Sequence, residues 1–148
     1  MASELSLPVE VIGCAIVREP DGLALSSRNV RLSADERQAA IVLSRALAAG
    51  RAALGNGERS GAAVSRAMRA VVAAEPLVQL DYAVVVDADT LEEVATPGDR
   101  DEASLRLLIA AQVGPVRLID NSAALAAADD VRAVPVAAVR VRQLERIG

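Results

Sequence analysis

Residues 33–55 read SADERQAAIVLSRALAAGRAALG and predict the first regular element of the chain. Ser33 and Glu36 form a capping box, in which each side chain accepts a hydrogen bond from the backbone N–H of the other residue. Apolar or small residues then recur on one helical face, at positions 40, 43, 47, 50 and 54. Gly55 is a typical helix end. The stretch therefore predicts an amphipathic helix with one buried face.

A second helix is predicted a few residues further on. Asn56-Gly57 is a turn signal, Ser60 is a candidate N-cap, and Pro76 cannot continue a helix. The apolar face of this helix carries Val64, Met68, Val71 and Val72. Two amphipathic helices joined by a short loop predict an antiparallel helical hairpin.

The pattern then changes from helical to extended. Residues 78–86 alternate, with positions 78, 80, 82, 84 and 86 on one side and 79, 81, 83 and 85 on the other. Residues 91–94 predict a short return strand, and residues 104–113 and 116–119 predict a β-hairpin around Gly114-Pro115. We therefore expect an α+β fold, with the helical hairpin packed on a small, mainly antiparallel sheet.

The chain before the capping box has a different character. Residues 9–17, VEVIGCAIV, predict a short buried strand that leads into a polar loop. A strand followed by such a loop resembles the last piece of a larger parallel sheet. Cys14 is expected to pack as a small hydrophobe. At the other end, residues 122–148 predict a helix and an edge strand without an assigned role.

Composition excludes several classes of site. All sixteen basic residues are Arg, so the sequence contains no Lys and no His, and it has one Cys. This excludes a His general base, a Lys Schiff base, a His-ligated metal and an internal disulfide within these residues. The formal charge is −4 and there is no Phe or Trp, so nucleic-acid binding is not expected. Without a long apolar stretch or a signal-peptide pattern, we expect a cytoplasmic protein that binds no membrane.

Four aspartates in predicted loops invite a metal interpretation: Asp87, Asp89, Asp99 and Asp101. They lack the Asn, Gly and closing Glu of a calcium loop. Asp is also a common turn former. We therefore favour turn formation and assign no metal ligand.

The candidate chemistry lies in the loop REPDGLALSSRN, residues 18–29. Ligands of parallel sheets bind at strand ends. Serine hydroxyls, backbone amides and an arginine fork are the groups that hold a polyphosphate. The residues alone favour the plainer alternative, a charged turn with ordinary serines, because short motifs recur by chance.

The same loop strongly resembles the signature loop of the pantoate–β-alanine ligase family. The segments LDYAVVVDADTLEEV and LLIAAQVGPVRLIDN resemble the C-terminal domain of that family in order and spacing. The resemblance extends over residues 9–121 and implies membership of the nucleotidyltransferase superfamily related to class I aminoacyl-tRNA synthetases. It implies that ATP and Mg²⁺ activate pantoate to pantoyl adenylate. Attack by β-alanine would then give pantothenate, AMP and pyrophosphate on the way to coenzyme A.

The resemblance also implies the site residues. Val17 and Leu25 would flank the adenine through backbone groups, and Ser26, Ser27 and Arg28 would contact the phosphates of ATP. Arg28 is the predicted catalytic residue, because a guanidinium can stabilise charge on the phosphate as pyrophosphate leaves. Many members of the family have Met at the position of Leu25, and a backbone contact would survive that exchange.

A missing half is implied as well. The family's N-terminal nucleotide-binding domain carries a His-x-Gly-His motif, a phosphate-binding Lys and most of the pantoate pocket. Mg²⁺ would be bound mainly by residues of that domain. The resemblance implies that residues 1–32 are the remnant strand and loop of that Rossmann-like domain and that residues 33–148 are a C-terminal lid. The lid would be inactive without its N-terminal partner, and the complete enzyme would be a homodimer. The alternative is a free-standing, non-catalytic interaction or regulatory module that reuses the lid fold.

Overall fold

The computed structural model describes residues 15–124. Its helices are α1 (Ala34–Ala40), α2 (Val42–Gly55) and α3 (Gly61–Ala73), and its strands are β1 (Val78–Asp87), β2 (Leu105–Val113) and β3 (Val116–Ala123). The strands form one antiparallel sheet in the order β1-β2-β3. The helices and the small antiparallel sheet confirm the α+β prediction. No helix within the described range is long and apolar enough to span a membrane.

The predicted first helix is divided in two. Its capping box is present, since Ser33 Oγ accepts from the Glu36 amide at 3.3 Å and Glu36 Oε2 accepts from the Ser33 amide at 2.8 Å. The helix is then interrupted at Ile41, whose backbone remains right-handed at φ −60° and ψ −22°. The helix end at Gly55 is confirmed, and so is the next start, where Ser60 Oγ accepts from the Ala63 amide at 3.3 Å.

A β-bulge corrects the predicted alternation of β1. Leu80 pairs with Ala111, but Tyr82 already pairs with Ala110, so Asp81 is an extra residue on β1. Because one extra residue reverses the side-chain phase, the fully buried positions after the bulge include Ala83 and Val85. The five positions 78, 80, 82, 84 and 86 therefore do not share one buried face.

Three further sequence expectations differ in outcome. The hairpin around Gly114-Pro115 is confirmed, although β3 continues to Ala123 instead of ending at Ile119. The return strand predicted at 91–94 is reduced to one bridge between Val86 and Glu93. The Rossmann-like remnant stays a prediction. Of the strand predicted at 9–17, residues 15–17 lie outside any strand, and the rest, including Cys14, lies outside the described residues. Residues 125–148 lie outside the described residues as well.

The core lies between the helices and one face of the sheet. Its largest fully buried side chains are aliphatic, among them Leu43, Leu47, Met68, Leu107 and Ile109. Leu23, from the loop before α1, is 5% exposed and packs into the same core. This contact anchors the loop at 18–29 to the folded body and fixes the position of the candidate site.

Candidate functional site

The candidate site begins with the loop at residues 18–29, which is folded back on itself. Arg18 and Ala24 form an isolated antiparallel bridge, and the Leu25 amide donates to the Val17 carbonyl at 2.8 Å. The reversal between them uses Gly22 at φ +93°, a left-handed conformation that favours glycine. The loop is therefore pre-formed by its own backbone.

The serine–arginine stretch follows directly on this bridge. Residues Ser27–Arg31 form a single 3₁₀ turn, which Ser26 caps by accepting the Arg28 amide on its Oγ at 3.2 Å. Arg28 itself is exposed, and its guanidinium has no ion-pair partner among residues 15–124. The turn thus presents a cation and two hydroxyl-bearing residues at the surface.

A cavity of about 300 Å³ separates this loop from the sheet. Two walls face each other, namely loop residues between 23 and 29, with Ser27 excepted, and residues 117–121 of β3, and Ile16 and Leu43 complete the lining. Of the residues predicted from the sequence, Leu25, Ser26 and Arg28 line the cavity, whereas Val17 and Ser27 do not. Val17 is connected to the cavity wall through its backbone bond to Leu25. The sequence predicts no site residue on the β3 wall.

One ion pair joins the two walls. Arg18 donates from both terminal guanidinium nitrogens to Asp120, at 2.7 and 3.1 Å, and also to the carbonyl oxygens of Gly22 at 3.0 Å and Asn121 at 3.3 Å. The Asp120 side chain is 4% exposed and that of Arg18 is 17% exposed. A paired carboxylate at such depth is stabilised by its bidentate partner.

A second network holds the other end of the loop. Asn29 Nδ2 donates to Glu19 Oε1 at 2.9 Å and to the Ala24 carbonyl at 3.0 Å. Arg37 of α1 donates to Glu19 Oε2 at 2.6 Å and pairs with Asp21 at 2.8 Å. The hydrogen bond from Asn29 and then that from Arg37 lower the pKa of the Glu19 carboxyl from its ordinary value. Glu19 is therefore held as an anion between the loop and α1.

Three arginines, Arg28, Arg31 and Arg117, form a rim around a second depression of about 220 Å³, which Ile119 also lines. Arg28 and Arg117 line the larger cavity as well. Arg117 is paired with Asp81 at 2.7 Å, but the structure gives Arg31 no acidic partner in the described range. This rim is suited to an anion, because a guanidinium binds phosphate and carboxylate oxygens in a planar fork.

Within residues 15–124, no three Asp, Glu, His or Cys side chains lie close enough together to hold a metal ion. Asp87 instead accepts from the amides of Asp89 and Thr90, each at 3.0 Å, and pairs with Arg100 at 2.6 Å. The bonds from the Thr90 and Asp89 amides lower the pKa of the Asp87 carboxyl. Asp87 is therefore engaged in its turn.

Comparison with known proteins gives a consistent result. A family model described as pantoate-beta-alanine ligase matches residues 1–123. The pantothenate synthetase of Roseiflexus sp. (strain RS-1) is 54% identical over 121 residues, covering 82% of this chain and 42% of the relative. That of Rubrobacter xylanophilus is 54% identical over 123 residues, covering 83% and 41%. The chain thus spans about two fifths of the length of these curated relatives.

Solved structures of this family also align with most of this chain and with less than half of their own length. The crystal structure of the pantothenate synthetase from Thermus thermophilus aligns with a TM-score of 0.75 at 41% identity, over 83% of this chain and 43% of that one. A pantoate-beta-alanine ligase from Francisella tularensis, complexed with beta-gamma ATP and beta-alanine, aligns with a TM-score of 0.50 at 20% identity. At that identity the second alignment supports the fold alone.

Proposed function

The chain belongs to the pantoate–β-alanine ligase family, and from this membership we propose that it supplies the phosphate-binding loop and the lid of an ATP-dependent ligase. The complete enzyme would join pantoate to β-alanine and release AMP and pyrophosphate. Pantothenate formed in this way would enter coenzyme A biosynthesis in the cytoplasm.

The reaction has two steps. A carboxylate oxygen of pantoate attacks the α-phosphorus of ATP, the bond to the β-phosphate oxygen breaks, and pyrophosphate leaves. The amine of β-alanine then attacks the acyl carbon of pantoyl adenylate, loses a proton and displaces AMP. Negative charge develops on phosphate oxygens in the first step, so preorganised donors aimed at those oxygens lower its barrier.

Arg28 is the proposed catalytic residue of the first step. Its exposed guanidinium, which has no ion-pair partner within residues 15–124, is available for the departing pyrophosphate. Ser26 and Ser27 would add hydroxyl donors to the phosphates. Ser26 Oγ already accepts the Arg28 amide, so it can donate its own proton to a phosphate while it caps the turn.

The adenine would lie against Val17 and Leu25. The bond between these two residues uses the Val17 carbonyl and the Leu25 amide. The Leu25 carbonyl and the Val17 amide are then the backbone groups that can meet a purine edge. Both side chains are exposed, at 44% for Val17 and 63% for Leu25, and would cover an apolar ring.

Mg²⁺ does not fit the described residues, which offer no acidic cluster. We propose that residues of an N-terminal nucleotide-binding domain bind it. The same domain would supply the His and Lys that this sequence lacks. Residues 1–32 would be the end of that domain and residues 33–148 the lid. The 148 residues alone would then form no pantothenate, and the complete enzyme would be a homodimer.

The lid would act by excluding water. Pantoyl adenylate is an activated acyl group that water hydrolyses, so a lid that closes over it directs the acyl carbon to β-alanine. The observation that carries the proposal is the position of Arg28. Its guanidinium has no ion-pair partner among the described residues, and it lies at the cavity in a pre-formed loop of a chain that belongs to this family.

A reconstitution experiment tests the proposal. The chain is mixed with the separately expressed remainder of the Roseiflexus relative, and pantothenate formation from ATP, pantoate and β-alanine is measured. Activity is expected only in the mixture. Arg28→Ala should lower the rate by about 10²–10³-fold, the range found when one donor to a developing oxyanion is removed. Arg45→Ala, which removes an exposed arginine of α2, should have no effect.

The opposite results are equally informative. Association of the two parts without pantothenate formation would favour the non-catalytic interaction module. Activity that survives Arg28→Ala would remove Arg28 from the catalytic role.

A further inference from the structure

We propose that Asp120 is a positioning residue for the loop that carries Ser26 and Arg28, and that it acts through Arg18. This inference rests on the proposed function, because it assigns to the loop a phosphate to hold. Asp120 does not itself serve as a phosphate ligand, since a carboxylate repels an anion. Its contribution is to hold the loop in one arrangement before ATP arrives.

The position of Asp120 is fixed by the sheet. Asp120 lies on β3 opposite Ile109, a fully buried residue of the central strand β2. Along β3, burial alternates from Val116 to Ser122, and Asp120 falls on the inward phase. Its Oδ1 also accepts the amide of Asn121 at 2.8 Å. The carboxylate therefore has little freedom and gives Arg18 a rigid partner.

Arg18 transmits this position to the loop. Its guanidinium is shared between the Asp120 carboxylate and the Gly22 carbonyl, so the ion pair also holds the reversal of the chain. The backbone of Arg18 is bridged to Ala24, and Leu25 and the capping Ser26 follow immediately. Loss of the ion pair would free the bridge, and with it the orientation of the turn that begins at Ser27.

A separate network keeps the loop folded when the ion pair is lost. Asn29, Glu19 and Arg37 make the second connection, to α1. Leu23 is buried in the core independently of Arg18. Loss of Asp120 should therefore loosen the segment between Ala24 and Arg28 without unfolding the domain.

The expected effect is on ATP binding. When a binding-competent arrangement is populated only in part, the apparent dissociation constant rises by the inverse of that fraction. A loop that is correctly arranged about one tenth of the time would raise the apparent KM for ATP about tenfold. The KM for β-alanine should stay unchanged, and so should kcat at saturating ATP, because Arg28 remains present.

Two readouts separate this inference from the proposed function. Hydrogen exchange of residues 24–29 is measured on the 148-residue chain without nucleotide, for Asp120→Ala, Asp120→Asn, Arg18→Ala and the double variant Arg18→Ala/Asp120→Ala. Kinetic constants for the same variants are measured in the reconstituted mixture. Arg100→Ala is the matched control, because it breaks another arginine–aspartate pair, of 2.6 Å, which involves no residue of the loop.

Exchange in residues 24–29 should be about tenfold faster in Asp120→Ala, Asp120→Asn and Arg18→Ala than in the unmodified chain. Exchange in α3 should be unchanged, because the loop opens locally while the domain stays folded. The double variant should be no worse than Arg18→Ala, because the two residues act as one pair. If Asp120→Ala does not fold, Asp120→Asn and Arg18→Ala provide the test.

Unchanged exchange in folded variants would overturn the inference, and so would faster exchange with an unchanged KM for ATP. A fall in kcat alone would also overturn it, since that would indicate a role in chemistry. If the unmodified mixture forms no pantothenate, the proposed function fails. Exchange in the nucleotide-free chain then still decides whether Asp120 holds the loop.

Discussion

Arg18 and Asp120 stand 102 residues apart in the sequence and are joined by two hydrogen bonds, of 2.7 and 3.1 Å. This pair connects the loop wall of the cavity to the β3 wall. Removal of either residue leaves a largely buried charge without its partner, which is costlier than removal of both. The two walls of the candidate site are thus coupled by electrostatics as well as by packing.

The N-terminal cap of α1 should contribute measurably to stability. Ser33→Ala removes the hydroxyl that accepts the Glu36 amide, and it should lower the free energy of unfolding by about 1 kcal/mol. Urea unfolding followed by circular dichroism measures this change. Ser27→Ala is the matched control, because Ser27 is exposed and its side chain makes no hydrogen bond among the described residues. Equal stability of the two variants would contradict the assigned role of the cap.

Stability should decrease in acid partly through Glu19. The pKa of its carboxyl is lowered in the folded state by Asn29 and Arg37, so the unfolded chain binds more protons in the acid range. This contribution to the free energy of unfolding is fully present above the ordinary glutamate pKa of about 4.3, and it is lost as the pH falls through the lower pKa of the folded state. Unfolding midpoints measured between neutral and acidic pH should show this loss.

Glu19→Gln should lower stability at neutral pH and reduce its dependence on acid pH. The control is Glu92→Gln, since the Glu92 side chain is exposed and has no bond to any other described residue. A pH profile of Glu19→Gln that runs parallel to that of the unmodified chain would contradict this assignment.

Local elements of the fold could be predicted from the sequence because their causes are local. The capping box links residues three positions apart, and Ser60 and Gly55 act on the backbone of their own helices. The bulge at Asp81 depends on which residues of β2 it faces. No pattern within β1 itself reports that partner, so the predicted alternation was wrong beyond Leu80.

The site was predicted in the same uneven way. Leu25, Ser26 and Arg28 were predicted from the family resemblance of the loop, and these three residues line the cavity, while their roles toward ATP stay a prediction. Asp120 was missed, although a signal was present in the run Val116–Ala123. Its alternation places a carboxylate on the inward phase, and an inward carboxylate requires a partner. The sequence does not say which of sixteen arginines supplies it.

Gly61, the first residue of α3, should tolerate no side chain. A Cβ at this position would lie 2.1 Å from the Val94 carbonyl oxygen, well inside contact distance. The Val94 backbone is not free to retreat, because its amide donates to the Val85 carbonyl at 2.9 Å and its side chain is buried in the core. The Gly61 amide is bonded to the Ala95 carbonyl at 2.8 Å. Helix α3 and the segment at Val94 are thus held together at the point where they approach most closely.

Gly61→Ala should therefore lower the free energy of unfolding by about 1–3 kcal/mol, the usual cost of overpacking. Gly55→Ala is the matched control at the end of α2, where a Cβ would meet nothing within 4 Å. That exchange should be neutral or stabilise by about 0.5–1 kcal/mol, because alanine loses less backbone entropy on folding than glycine. Urea midpoints compare the two variants directly. A Gly61→Ala chain as stable as Gly55→Ala would mean that the segment at Val94 can move away from α3, contrary to its bonds on both sides.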